Sequence, residues 1–311
     1  MNATITRPTV SVVIATYNRA DLCVRAVESA LAQTYPHIEI IVVDDGSEDG
    51  TSERLRARFG DAITLICQEN RGVSAARNAG VAAGSGEFIA LLDSDDYWLP
   101  EKTEEQVRFL ETHPDFGMVL CNLSNFHADG RELGESNRRN ALPYDGRVLD
   151  HVLLSPALVP SSVLVRRSIY EAIGGFDETL PTAEDLDFHL QVAARTSIAL
   201  IERPLARIAR GDTAGLSMLS RTNRDHVFVV ERFVERAAPL LTQEQRRAAL
   251  FNVLRYNARS SALSLRPAEG LSFGVEALGH ISSKRDIWSL GRLMPLILKC
   301  TVKLMLTRLG I

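Results

Sequence analysis

Three carboxylates, Asp93, Asp95 and Asp96, fall within four positions of the stretch LLDSDDYW (Leu91–Trp98). At neutral pH they repel one another, so something must offset their charge. Hard divalent cations take oxygen ligands, and Mg²⁺ typically uses one or two carboxylates together with substrate phosphates. A cation held this way offsets charge on a departing diphosphate. A solvated acidic turn is the plainer reading of the same residues. Context favours the cation: the cluster follows a strand-like apolar run and is followed by Tyr97-Trp98-Leu99-Pro100.

Other segments carry chemistry of a related kind, each with a plainer alternative. Asp45, in DDGSEDGT (Asp44–Thr51), can accept hydrogen bonds from the N–H of a nucleobase. Local Asx-turn bonding suits Asp45, Asp44 and Ser47 equally well. Arg71 and Arg77, in NRGVSAARNAG, surround a glycine-rich helix start. Guanidinium groups and helix N-termini both suit phosphate or base oxygens; pairing with neighbouring carboxylates is the alternative. Glu184-Asp185 stand at a predicted helix start, where they suit either a helix dipole or a general base beside an acceptor hydroxyl. Seven scattered histidines show no metal-ligand spacing. RIARGDTAGLS (Arg207–Ser217) reads as a mobile loop whose arginines meet phosphate, or as a plain connection.

The elements that must position these groups alternate. Strand-like runs cover Thr9–Ala15, Ile38–Val43, Ala62–Cys67 and Glu87–Leu92. Helical spacing covers Ala20–Thr34, a short piece around Thr51–Arg58, the small-residue run Gly72–Gly84, and a segment from Pro100 to about Thr112. Strands that are apolar on both faces and alternate with helices indicate a parallel sheet covered on both sides. Such sheets bind ligands beyond the carboxyl ends of their strands. Thr16-Tyr17-Asn18, Asp44-Asp45 and Asp93 to Asp96 all lie at such ends, so segments far apart in sequence face one crevice. Asn122–Leu149 is polar and reads as a loop-rich excursion with short strands. Ala157–Arg167 returns as a strand, and a helix begins near Glu184. After about Gly215 the pattern is mostly helical with Arg-rich polar faces.

At 311 residues with 45% apolar content, the chain suits a large α/β domain with a smaller appendage. A net charge of -4 argues against a dedicated nucleic-acid binder. The four cysteines form no CxxC pair, and reduced thiols in a cytoplasmic compartment are expected. The N-terminal stretch is polar and short, with no secretory signal. No apolar run reaches the roughly 18 residues a membrane span needs. The C-terminal segment carries only basic charges after Asp286. On a helical wheel Arg292, Lys299 and Lys303 fall together, while Leu293, Leu296, Ile297, Leu304 and Met305 fill much of the rest; Arg308 departs from the polar face. The pattern suits an interfacial helix on an anionic leaflet, a helix docked on the protein's own core, or a subunit contact.

Together these residues resemble the family 2 glycosyltransferases of the GT-A fold. The resemblance runs from SVVIATYNRADLCVRAVESALAQTYPHIEIIVVDDGSEDGT through NRGVSAARNAGVAAGSGEFIALLDSDDYWLP to GGFDETLPTAEDLDFHLQVAAR, about the first two-thirds of the chain. It implies a Rossmann-like, mostly parallel α/β sheet flanked by helices over residues 1–215, and a helical C-terminal region over 216–311. It implies transfer of a sugar from a nucleotide donor, UDP-sugar foremost, to a hydroxyl with inversion. The acceptor implied is a glycan or lipid-linked species in cell-surface polysaccharide synthesis, at the inner face of the membrane. Thr16, Tyr17, Asn18, Asp45, Arg71, Arg77, Asp93 and Asp95 would bind the donor. Asp95 and Asp96 would hold Mn²⁺ or Mg²⁺, the DSDD register leaving the principal ligand open. Asp185, with Glu184 beside it, matches the catalytic base. Two other readings compete. In a haloacid-dehalogenase-like phosphatase, Asp93 would be the nucleophile, although that class places its DxD after the first strand. The other is an inactive nucleotide-sugar-binding protein, against which the intact Asp45, DxD and ED positions speak.

Overall fold

The computed structural model describes residues 8–127, 130–136, 148–154, 159–210, 222–263, 266–281 and 284–309. In chain order the elements are β1 (Val10–Thr16), α1 (Ala20–Leu31), β2 (Ile38–Asp44), α2 (Thr51–Phe59), β3 (Thr64–Cys67), α3 (Val73–Ala83), β4 (Phe88–Asp93), β5 (Tyr97–Trp98), α4 (Lys102–Thr112), β6 (Phe116–His127), β7 (Glu132–Ser136), α5 (Leu149–Leu154), β8 (Val163–Arg166), α6 (Arg167–Ile173), α7 (Glu184–Ala193), β9 (Ser197–Arg210), α8 (Thr222–Arg236), α9 (Gln243–Leu263), α10 (Pro267–Leu278) and α11 (Lys284–Leu309). They form two compact units: Met1–Val148 with Leu158–Ala214, and Leu149–Ala157 with Gly215–Ile311.

In the first unit one sheet runs β3-β2-β1-β4-β8-β6-β9-β5, with β7 added to β6. Its first four strands are parallel, as their β-branched, two-sided apolar sequences predict. The remaining half is mixed: β8 is antiparallel to both β4 and β6, while β9 is parallel to β6. Register aligns the functional ends. Thr16 lies opposite Asp44, and Ala15 opposite Asp93. Small residues let α3 sit close to the sheet. A Cβ on Gly80 would come within 2.5 Å of a Val13 methyl.

Three expectations are revised here. Asn122–His127 is not loop but the second half of β6, a strand of twelve residues. Ser124 and Asn125 read as loop in isolation, yet each pairs with both β7 and β9. Arg207–Arg210 likewise ends the long strand β9 and is not a loop; residues 211–217 lie outside the described residues. At the Ala157–Arg167 segment, Pro160–Ser162 makes a 3₁₀ turn and only Val163–Arg166 is strand.

The corner after β4 is fastened by Asp96. This residue is 3% exposed. It accepts hydrogen bonds from Ser161 Oγ (2.6 Å) and from the Ala209 N–H of β9 (2.9 Å). Ser161 Oγ also accepts from the Asp93 N–H, and the Ser161 carbonyl from Trp98 Nε1. Lys102 is fully buried behind this corner, 3.8 Å from the centre of the Trp98 ring, and donates to Gln106.

In the second unit α9 packs on α5, α8 and α10, and α10 packs on α11. Cys300 is buried under Gly270, where an added Cβ would meet its Sγ at 3.0 Å. Leu296, Ile297 and Leu304 are half-buried. Among the described side chains of α11, Met294, Leu298, Val302 and Met305 are large, apolar and exposed. The side chains of Arg292, Leu293 and Arg308 lie outside the described residues. Among the described residues, no helix is long and apolar enough to cross a membrane.

Removing the Asp96 carboxyl leaves the Ser161 hydroxyl and the Ala209 N–H buried without that partner, at about 1–3 kcal/mol for each such group. Asp96→Ala is therefore expected to lower unfolding free energy by a few kcal/mol in urea titration. A loss below about 0.5 kcal/mol would contradict the fastening role.

Candidate active site

The parallel strands end in a row of polar groups, and the loops after them are tied to each other. Asp44 accepts from Ser47 N–H and from the Ser52 hydroxyl, closing the turn after β2. Asn18, at a left-handed φ of 51°, accepts from Glu48 N–H, and its own N–H donates to Ser47 Oγ. Thr16 is buried, and its carbonyl accepts from Asp45 N–H. Tyr17 stands out from this corner, 47% exposed.

Asp45 is buried, and its carboxylate accepts from Gln68 Nε2 (2.7 Å), Arg71 N–H (2.9 Å) and Gly72 N–H (2.8 Å). It thus shapes the loop entering α3. A carboxylate offers about four lone-pair sites, so one acceptor site is left after these three bonds. Arg71 is exposed and pairs with Glu178 at 2.9 Å. Pairing with a carboxylate is the arrangement its alternative reading described.

Asp93 and Asp95 face the strand ends, with side chains 30% and 17% exposed. Arg19 pairs with Asp95 Oδ2 at 2.9 Å. Arg25 donates to the Asp95 carbonyl at 2.7 Å and lies over the rings of Tyr97 and Phe126. Burial pushes the Asp95 carboxyl upward, Arg19 opposes this, and Asp93 adds to it. Asp96 is pushed well upward by burial, with Asp93 and Asp95 adding repulsion. Asp96, expected among the metal ligands, is the most enclosed of the three carboxylates. It is 3% exposed, and each of its oxygens accepts one hydrogen bond in the corner described above. Asp93 and Asp95 are the more exposed hard oxygen donors of the cluster, the donor type that Mg²⁺ or Mn²⁺ takes; among the described residues no group of three or more His, Cys, Asp or Glu side chains is placed to hold a metal ion.

Arg77 likewise takes the carboxylate-paired arrangement. Its guanidinium is buried, 6% exposed, and bonds Asp93 at 2.8 Å and Glu184 at 2.7 Å. It is not offered to a phosphate. Two close carboxylates raise its own pKa further despite burial. The neighbouring Asn78 accepts from Tyr170 Oη and Phe176 N–H and donates to the Phe176 carbonyl. Asn78, Arg19, Arg25 and Ser161 were missed in the sequence. Asn78 stood beside Arg77 in a recognised motif, and nothing local marked the other three.

Glu184 and Asp185 open α7. The residue before them, Ala183, is held at a left-handed φ of 64°, a strained conformation for a residue with a Cβ. No side-chain cap bond is made there. Glu184 is buried against Arg77. Asp185 accepts only the adjacent Leu186 N–H at 2.7 Å among the described residues. Burial, then the charge of Glu184, push the Asp185 carboxyl up to about 7; Arg77 opposes the rise. A carboxyl poised there can take a proton near neutral pH.

Comparison with known proteins agrees with this architecture. A Rickettsia felis protein described as an uncharacterized glycosyltransferase is 31% identical over 221 residues, 70% of this chain and 37% of its own length. The Escherichia coli protein UDP-Glc:alpha-D-GlcNAc-diphosphoundecaprenol beta-1,3-glucosyltransferase WfaP is 44% identical over 123 residues, 39% of this chain and 47% of its own. The matched regions thus span less than half of each relative. The crystal structure of Staphylococcus aureus TarS 1-349 in complex with UDP-GlcNAc superposes with a TM-score of 0.69 at 20% identity, covering 95% of this chain and 88% of that one. That likeness identifies the fold as GT-A. The sequence model described as Glycosyl transferase family 2 matches residues 11–174, more than half of the chain. This assignment does not favour the phosphatase reading, and the protein belongs to glycosyl transferase family 2.

Proposed function

We propose that the chain is an inverting, metal-dependent hexosyltransferase. It moves a sugar from a nucleotide donor, UDP-sugar foremost, to a hydroxyl of a glycan or lipid-linked acceptor in cell-surface polysaccharide synthesis. The observation that carries this reading is Asp185: a carboxyl raised to about 7, within the field of Asp93, at the mouth of the strand ends. Residues 1–215 would form the catalytic domain and 216–311 a helical region. The names of the Escherichia coli and Staphylococcus aureus proteins support a uridine nucleotide donor; the former supports a lipid-diphosphate acceptor.

In this reading the exposed Tyr17 ring and the remaining acceptor site of Asp45 receive the nucleoside, between Thr16 and Asn18. Asp93 and Asp95 would hold Mn²⁺ or Mg²⁺. When bound, the cation neutralises charge on the diphosphate. Arg19, paired with Asp95, would share that load. Asp185 takes the proton of the acceptor hydroxyl as its oxygen attacks the anomeric carbon. The bond from that carbon to the diphosphate oxygen breaks, and the nucleoside diphosphate leaves with the electron pair. A single displacement inverts the carbon. Glu184 is not free for the proton, because Arg77 holds it.

The exposed face of α11 fits an anionic membrane surface. Met294, Leu298, Val302 and Met305 lie within one arc of the helix, with exposed Lys299 and half-buried Lys303 along its edge. No acidic residue follows Asp286. Apolar insertion flanked by lysines is the pattern of interfacial helices.

Two measurements test these statements. Asp185→Asn keeps the shape and removes the proton acceptor, so transfer should fall on the order of 10² to 10⁴-fold with donor affinity retained. The wild-type rate should rise as pH passes through about 7, since the base works deprotonated. Because the folded pKa lies above the unfolded value, ionising Asp185 costs stability between about pH 4 and 7; Tm of Asp185→Asn should not fall. Near-normal transfer by this variant would exclude the role. Separately, the protein should sediment with anionic vesicles and not with neutral ones, and Leu298→Glu with Val302→Glu should release it. Equal binding by both forms, or a concentration-dependent dimer broken by the same changes, would contradict the membrane face.

A further inference from the structure

Arg77 joins the donor side and the base side of the site through one side chain. Its two terminal nitrogens are divided between Asp93, at the end of β4, and Glu184, in the first turn of α7. The guanidinium also lies 5.1 Å from the centre of the Phe176 ring, in the turn before α7. A guanidinium is planar and presents its donors in a rigid fork. The separation of the two carboxylates is therefore set by a stiff group and not by flexible chain.

What is fixed at each end matters. Asp93 closes a strand in the middle of the sheet, paired through β1 and β8. Glu184 is the residue before Asp185 and follows the strained Ala183. A strained residue persists where its surroundings over-determine it. The Arg77–Glu184 bond supplies that constraint from one side. From the other, Asn78 and Tyr170 of α6 hold the Phe176 turn. The charged groups acting on Asp185 are Glu184 of its own helix, Arg77 of α3 and Asp93 of β4.

We propose that Arg77 is a positioning residue: it registers the first turn of α7 against the end of β4, and so places the Asp185 carboxylate relative to the reacting carbon without touching the donor. The proposal rests on the transferase reading above. It also explains why a buried arginine is kept where a donor-binding arginine was expected. Of its two carboxylate partners, Asp93 lies on the donor side and Glu184 adjoins the base, Asp185.

The test compares Arg77→Lys, Glu184→Met and Glu184→Gln in the full chain. Lysine keeps the charge and loses the fork. A misplacement of about 1 Å in a catalytic group can cost on the order of 10²-fold. In Arg77→Lys, kcat should fall between about 10-fold and 10²-fold, with donor KM within about 3-fold of wild type. Glu184→Met leaves Arg77 on Asp93, so it should show the same split even if Arg77→Lys fails to fold. Glu184→Gln retains an acceptor oxygen for Arg77 and should recover much of kcat. A folded variant with unchanged kcat, or with raised donor KM and intact kcat, would overturn the proposal. Hydrogen exchange gives a readout that needs no turnover. Amides of Asp185 to Asp187 should exchange faster in Glu184→Met, with β4 unchanged; uniform acceleration or none would overturn it. A wild type that neither transfers nor hydrolyses any nucleotide sugar would instead defeat the transferase reading, and exchange would still decide the role of Arg77.

Discussion

Carboxylates crowd the strand ends, and one buried guanidinium sits between two of them. Asp93 and Glu184 share Arg77, Asp185 lies in the field of all three, and Asp95 and Asp96 add further negative charge nearby. Burying a lone charge is costly, and removing one partner of a buried pair costs several kcal/mol. The arrangement tolerates so many acids because the cluster is divided. Arg77 neutralises the centre, Arg19 meets Asp95, and Asp96 is enclosed by hydrogen bonds that tie it to β9. Asp185 is left as a carboxyl with one backbone bond and a raised pKa. The rest of the first unit serves this division: parallel register aligns the strand ends, and small residues bring α3 close enough for Arg77 to reach both partners.

Residues adjacent in sequence therefore do different work. Asp95 and Asp96 are neighbours, yet one is accessible and paired with Arg19 while the other is sealed into a corner. Glu184 and Asp185 divide in the same way, one held and one poised. In each pair the distinction comes from what lies across the fold: Ser161 and Ala209 for Asp96, Arg77 for Glu184. The acceptor hydroxyl would then meet a base whose proton affinity is set by burial and repulsion, moderated by a positive charge that never faces solvent.

The same division separates what local sequence reveals from what it hides. β1 to β4 were legible because short β-branched runs, apolar on both faces and spaced by helices, suit a covered parallel sheet and little else. The convergence of Thr16, Asp45 and Asp93 followed from parallel topology, and the helix start at Glu184 from its pattern. The second half of β6 and the end of β9 were not legible. Ser124 and Asn125 look like loop residues until partner strands on both sides satisfy their backbone. The partner of Arg77 was hidden for a similar reason: Glu184 lies 107 positions away. Local pattern records which residues are charged; it does not record which charges face each other.

The central claim is that burial and neighbouring charge poise Asp185 near neutrality. Its side-chain carboxyl can be followed directly by ¹³C NMR titration, with Asp185→Asn identifying the signal. The expected midpoint is about 7. A midpoint at the ordinary carboxylate value of about 4 would contradict the claim.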